Sequence, residues 1–149
     1  MDISDELYRE VVLDHYKSPR HHGRMERPDV LGWGKNPLCG DELELHLAVK
    51  DGRIEDIKFD GKGCSISQAS ASMMTEAVIG KDLSEAKEIV SNFKGMMMEG
   101  KPADEMPEAL EDAKSLEGVR KYPVRIKCAL LSWNTLLEAM KKLEARKAA

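Results

Sequence analysis

Three cysteines and one aspartate are the residues of this chain best suited to chemistry. Cys39 and Asp41 stand in Asn36-Pro37-Leu38-Cys39-Gly40-Asp41, Cys64 in Gly61-Lys62-Gly63-Cys64-Ser65, and Cys128 in Arg125-Ile126-Lys127-Cys128. An inert buried cysteine ordinarily has apolar neighbours, whereas these three lie in glycine-rich or charged stretches. Brought together, three thiolates and a carboxylate make a site for zinc or for an iron–sulfur cluster. The oxygen donor matters. It is harder than sulfur and holds a cluster less tenaciously, and a permanent electron-transfer centre calls for four cysteines. Three sulfurs and one oxygen therefore suit a protein that holds a cluster and then gives it away.

Local sequence brings two of the thiols together. Leu43, Leu45, Leu47 and Val49 alternate with Glu44, His46, Ala48 and Lys50, the pattern of a half-buried strand with His46 on its solvated face. Asp51-Gly52 is the favoured pair for a two-residue hairpin turn, and the return strand runs from Arg53 to Asp60. The direct register from this turn pairs Val49 with Ile54. Carried further, it would bury Asp56 and Lys58 and expose Ile57 and Phe59. The apolar pattern thus requires a one-residue bulge between Ile54 and Ile57, so that Leu47 meets Ile57 and Leu45 meets Phe59. Past the strand ends, either register brings Cys39 and Cys64 to within about a residue of opposite each other.

Helices account for most of the rest. A first one runs from about Ser4 or Asp5 to Lys17, with Leu7, Val11 and Val12 as its apolar stripe and Pro19 past its end. A second, from about Ser65 to Ile79, opens on small residues that permit close packing and stops at Gly80. Its start lies just after Cys64, where free amides and the helix dipole favour a thiolate. A third spans about Ser84 to Met98, its core face Ile89, Val90 and Phe93, with Met96, Met97 and Met98 as flexible packing. A short helix from about Pro107 to Leu116, ended by Gly118, precedes the last one, from about Pro123 to Lys147. There Ile126, Leu130, Trp133, Leu137 and Met140 form one core stripe. Cys128 falls ~200° from Ile126, on a face with Ser132, Thr135 and Ala139, so it is expected to point away from the core. Lys127 beside it is expected to favour the thiolate further. The pair His21-His22 lacks a third ligand nearby.

Composition limits the function classes. The chain of 149 residues reads as one domain, 1–149, with a formal net charge of −4 and no basic stripe, which gives no electrostatic case for nucleic acid. Lys141, Lys142, Arg146 and Lys147 fall at a helix end, where they complement the helix dipole. No apolar run approaches the ~20 residues needed to span a bilayer. Met1-Asp2-Ile3-Ser4-Asp5-Glu6 lacks the apolar region of a signal peptide, so a cytoplasmic location is expected. An odd, widely spaced set of cysteines does not read as a disulfide framework. No nucleophile–base–orienter set is legible, so the chain does not read as an independent enzyme.

The motifs Asn36-Pro37-x-Cys39-Gly40-Asp41, Gly63-Cys64-x-Ile66-Ser67 and Lys127-Cys128 resemble those of the U-type iron–sulfur cluster assembly scaffolds, the IscU and SufU proteins. The resemblance covers nearly the whole chain. It implies an α+β fold in which a small antiparallel three-stranded sheet packs against several helices, the third strand lying around Val30 to Lys35. It also implies that Cys39, Asp41, Cys64 and Cys128 hold iron, a transient [2Fe–2S] cluster or zinc. The implied partners are a pyridoxal-phosphate cysteine desulfurase, which delivers persulfide sulfur, and apo iron–sulfur acceptor proteins. A homo-oligomer is implied when cluster is bound. Lys127, where the IscU branch has histidine, and an extra segment from about Gly95 to Val119 place the chain nearer the SufU branch. Tyr122-Pro123-Val124-Arg125 matches only in part the Leu-Pro-Pro-Val-Lys motif that a chaperone recognises in IscU proteins. Members of the SufU branch resemble either cluster scaffolds or zinc proteins that accept sulfur, and the same four residues serve both.

Overall fold

The computed structural model describes residues 3–148. Helix α1 (Ile3–Lys17) leads into a three-stranded antiparallel sheet of β1 (Val30–Asn36), β2 (Asp41–Lys50) and β3 (Arg53–Lys62). Helices α2 (Ser65–Val78) and α3 (Leu83–Met98) follow, then two 3-10 stretches at Ala103–Glu105 and Glu108–Lys121, and finally α4 (Pro123–Ala148). This is the expected α+β architecture, with β2 central and the helices on one face. Among the described residues no helix is long and apolar enough to cross a membrane. The side chains of Leu7 and Lys147, both used above, lie outside the described residues.

The hairpin forms as its sequence requires. Asp51 and Gly52 both adopt positive φ, 53° and 76°, as a type I′ turn demands. Val49 pairs with Ile54, and beyond the bulge Ala48 pairs with Asp56, Leu47 with Ile57 and Leu45 with Phe59. Leu43, Leu45, Leu47, Ile54, Ile57 and Phe59 are thereby all buried on one face.

Helix α4 is buried on two sides, which the single stripe of its sequence does not reveal. On one side Trp133 is fully buried and stacks on Phe93 of α3, ring centroids 4.0 Å apart and 12° from parallel. Its indole N–H donates to Ser70 Oγ (2.9 Å), and that hydroxyl donates to the Ala129 carbonyl (2.6 Å). On the other side Thr135 and Ala139 are buried against β1, whose inward positions Gly32 and Gly34 admit the helix, and Ser132 is buried as well. A Cβ at Gly34 would overlap Thr135 Oγ1 and meet Leu131 Cδ1 at 3.0 Å. Gly34→Ala is therefore expected to cost about 1–3 kcal/mol, read as a lowered urea midpoint at unchanged slope. An unchanged midpoint would show that α4 does not pack this tightly on β1.

Two elements differ from expectation. The segment read as a helix from Pro107 to Leu116 is a 3-10 stretch reaching Lys121, broken at Glu111 (φ 47°, ψ −124°). It gains burial for Leu110, Ala113, Leu116 and Val119 without helical regularity. His46 is buried rather than solvated, at 4% exposure. The loop after α1 pairs with the free edge of β3, where the Gly23 N–H donates to the Phe59 carbonyl and the Phe59 N–H donates to the His21 carbonyl, and then crosses to His46. From that loop the Met25 N–H donates to His46 Nδ1 (3.3 Å).

Candidate metal centre

One turn and two helix starts meet at the end of the sheet where β1 stops and β3 runs out. The turn from Asn36 to Asp41 carries Cys39, and its reversal is completed by Gly40 at φ 70°. Beyond β3, Gly63 at φ 156° turns the chain into α2 and makes Cys64 the N-cap residue. Only glycine fits there, because a Cβ would collide with Asp41 Oδ1 and lie 2.6 Å from Ser67 Oγ. Cys128 comes from the second turn of α4.

Cys39, Asp41 and Cys128 converge: their two sulfurs and a carboxylate oxygen all lie within 4.8 Å of one another. The Cys128 thiol donates to Cys39 Sγ at 3.0 Å. Asp41, fully buried, accepts from the Cys64 backbone N–H through Oδ1 (2.9 Å). The carboxylate thus ties the Cys64 turn to the other two thiols, although the Cys64 sulfur is not one of that close trio. Cys39 and Cys64 are half-buried.

Cys128 is fully buried, contrary to its expected position off the core. The reason is the second packing face of α4: residues roughly opposite the tryptophan stripe are covered by β1 and its turn. Burial, followed by hydrogen bonding with Cys39 and Asp41, pushes the Cys128 thiol far above its ordinary value. Desolvation there outweighs the helix dipole. Lys127 is exposed and lines a groove with Pro37, Leu38 and Asn134 instead of facing the sulfurs. The cation that faces them is Arg125. Its guanidinium is raised above its usual value, first by hydrogen bonding with Cys128, and interacts also with Cys64 and Cys39.

Sequence reasoning missed two further residues. Asn36, 6% exposed at the end of β1, offers its Nδ2 to Asp41 Oδ2 (3.4 Å) and to Cys128 Sγ (3.6 Å). Its place in the Asn-Pro-x-Cys-Gly-Asp motif was the available signal. His15 is fully buried in α1, its Nδ1 bonded to Ser72 Oγ and its Nε2 to Asp112, both at 2.8 Å. Ser72 Oγ also accepts from the Arg20 N–H. Nε2–H donates to Asp112, so both ring nitrogens have partners. The pair His21-His22 is taken up separately, His21 on Thr75 Oγ1 (3.0 Å) and His22 edge-on against Phe59.

The donor chemistry fits a thiophilic metal or a cluster. Two sulfurs and an oxygen are within reach of one ion, and a third sulfur stands on the adjoining turn. The NifU-like N terminal domain matches residues 7–129. Over 140 residues the chain is 46% identical to the zinc-dependent sulfurtransferase SufU of Bacillus subtilis, covering 94% of this chain and 93% of that one. It is 45% identical over 137 residues to the iron–sulfur cluster assembly scaffold protein IscU of Streptococcus pyogenes, covering 91% and 84%. Its fold is similar to the crystal structure of a nitrogen-fixing NifU-like protein (N-terminal) from Brucella abortus, with TM-score 0.86, 27% identity and coverage of 97% and 99%. The matched segment spans β1 to the start of α4 and so includes all four residues at the sheet end, and the chain belongs to the NifU-like N-terminal domain family.

Proposed function

We propose that this protein is an iron–sulfur cluster assembly scaffold. It accepts sulfur from a pyridoxal-phosphate cysteine desulfurase, builds a transient [2Fe–2S] cluster on Cys39, Asp41, Cys64 and Cys128, and passes it to apo acceptor proteins. The observation that carries this reading is the donor set itself: two thiols and one carboxylate within 4.8 Å, where the β1–β2 turn, the start of β2 and the second turn of α4 meet. The mixed set gives the product a labile side from which an acceptor can take it. Leu38, Tyr122 and Val124 are 68%, 55% and 61% exposed, next to Cys39 and at the N-terminus of the Cys128 helix. This apolar fringe suits a protein partner that must bring a persulfide to half-buried thiols. In this reading the protein works in the cytoplasm, forms no covalent chemistry on an organic substrate by itself, and can oligomerise around a cluster short of a fourth cysteine.

One observation favours a second reading, a zinc-bound sulfurtransferase that activates the desulfurase. The compact trio is close enough to surround a single ion, and Cys64 would complete it. Zinc would keep the thiols deprotonated and shielded until one of them is released to take sulfur.

Reconstitution separates the two. Anaerobic protein given ferrous iron, cysteine and a catalytic amount of desulfurase is expected to develop [2Fe–2S] absorbance and to transfer the cluster to an apo-ferredoxin. Isolation with near-stoichiometric zinc, activation of the desulfurase by that form and no transferable cluster would overturn the scaffold reading and establish the second.

A further inference from the structure

The three thiols are not equivalent. Cys39 and Cys128, 89 residues apart in sequence, have their sulfurs in contact at 3.0 Å. Cys64 is held on a separate turn, its N–H on Asp41 Oδ1 and its carbonyl accepting from Ser67 Oγ (3.1 Å) and the Gln68 N–H (3.2 Å). Exposure divides the contacting pair: Cys39 is half-buried, whereas Cys128 is fully buried. Of that pair, incoming sulfur therefore reaches Cys39 first, and Cys64, half-buried as well, stands outside the close contact.

We propose that in the metal-free protein Cys128 is the resolving thiol for a persulfide on Cys39, releasing the delivered sulfur as sulfide inside the site. This deepens the sulfur-accepting reading above and rests on it. As the adjacent Asp41 carboxylate takes up its proton, the Cys128 sulfur attacks the inner sulfur of the Cys39 persulfide, forming a Cys39–Cys128 disulfide. The inner–outer sulfur bond breaks, its electron pair leaves with the outer sulfur, and the proton given up by Cys128 completes hydrogen sulfide. The sulfane sulfur is reduced by two electrons, and the two cysteine sulfurs supply them. A small dithiol reductant then restores both thiols.

The geometry favours this step. The inner sulfur is Cys39 Sγ, already 3.0 Å from the attacking atom, within the about 3–3.5 Å of a near-attack arrangement. Reaching the ~2.05 Å of a disulfide asks for about 1 Å of travel. Cys128 is locked in α4, so the turn Pro37–Gly40 makes that movement: Pro37, Leu38 and Gly40 are exposed, and Gly40 already sits at φ 70°. Hydrosulfide leaves more readily than an alkyl thiolate, which directs cleavage toward sulfide.

The test uses full-length, chelator-treated protein and one equivalent of glutathione persulfide, without iron or desulfurase. The parent is expected to lose two hydrogens in intact mass, release about one sulfide per chain, yield a disulfide peptide joining Cys39 to Cys128 and keep a free thiol at Cys64. Cys128→Ser is expected to retain the added sulfur on Cys39 and release sulfide at least about ten-fold more slowly. If that variant does not fold, the peptide map of the parent decides alone. A stable persulfide in the parent, or a disulfide that includes Cys64, would overturn the proposal. Because no iron is present, failure to assemble a cluster leaves this result untouched, and failure here leaves the cluster assay standing.

Discussion

Replacing Asp41 with alanine is expected to slow transfer of an assembled cluster to an apo-acceptor about ten-fold, the effect of roughly 1.4 kcal/mol on the barrier. The carboxylate is the hardest of the four donors and so the easiest for an incoming thiolate to displace. Asp41 has a second task, since its Oδ1 holds the Cys64 amide at 2.9 Å. Alanine removes both functions. Asp41→Asn separates them, because the asparagine carbonyl still accepts that N–H while the anionic ligand is gone. Slow transfer from both variants assigns the effect to the ligand. Slow transfer from the alanine variant alone assigns it to the Cys64 turn, and faster transfer from Asp41→Ala would refute the release role. The assay follows loss of cluster absorbance on the scaffold against its appearance on ferredoxin.

Trp133→Ala is expected to destabilise the fold by about 3–5 kcal/mol, the range for removing a large aromatic residue from a closed core. The indole is fully buried and stacked on Phe93, and its N–H satisfies Ser70 Oγ. The consequence extends to the site, because Ser70 also bonds the Ala129 carbonyl, the residue next to Cys128. Thermal or urea unfolding measures the first effect. Faster alkylation of Cys128 in the metal-free variant, under conditions where it remains folded, measures the second. Trp133→Phe keeps most of the ring contact with Phe93 and loses the hydrogen bond, so its cost should be smaller, about 1–3 kcal/mol. A Trp133→Ala protein as stable as the parent would mean that α3 and α4 are not held together through this stack.

Local chemistry in the chain determined a good deal. The Asp51-Gly52 turn and the positions of Ile54, Ile57 and Phe59 set the hairpin register and its bulge, because a one-residue slip would expose the apolar face. The same register brought the Cys39 and Cys64 segments together, and the residues Asn-Pro-x-Cys-Gly-Asp and Gly-Cys marked the proposed donors. The boundaries of α2, α3 and α4 followed to within a residue or two from glycine, proline and periodic apolar residues. What the tertiary structure alone decided was burial. Cys128 looked exposed because a helix wheel shows one apolar stripe, but Thr135 and Ala139 are small enough to pack on glycines of β1 just over one hundred residues earlier. His46 looked solvated because alternation gives a polar face to any strand, and nothing local foretells a loop that covers it. Arg125 rather than Lys127 interacts with the thiols for a related reason: which of two neighbouring exposed cations on a helix reaches a site depends on what stands opposite. Periodicity reports which faces can be buried, whereas contacts between segments distant in sequence settle which faces are, and the inequality of the three thiols belongs to that second kind of information.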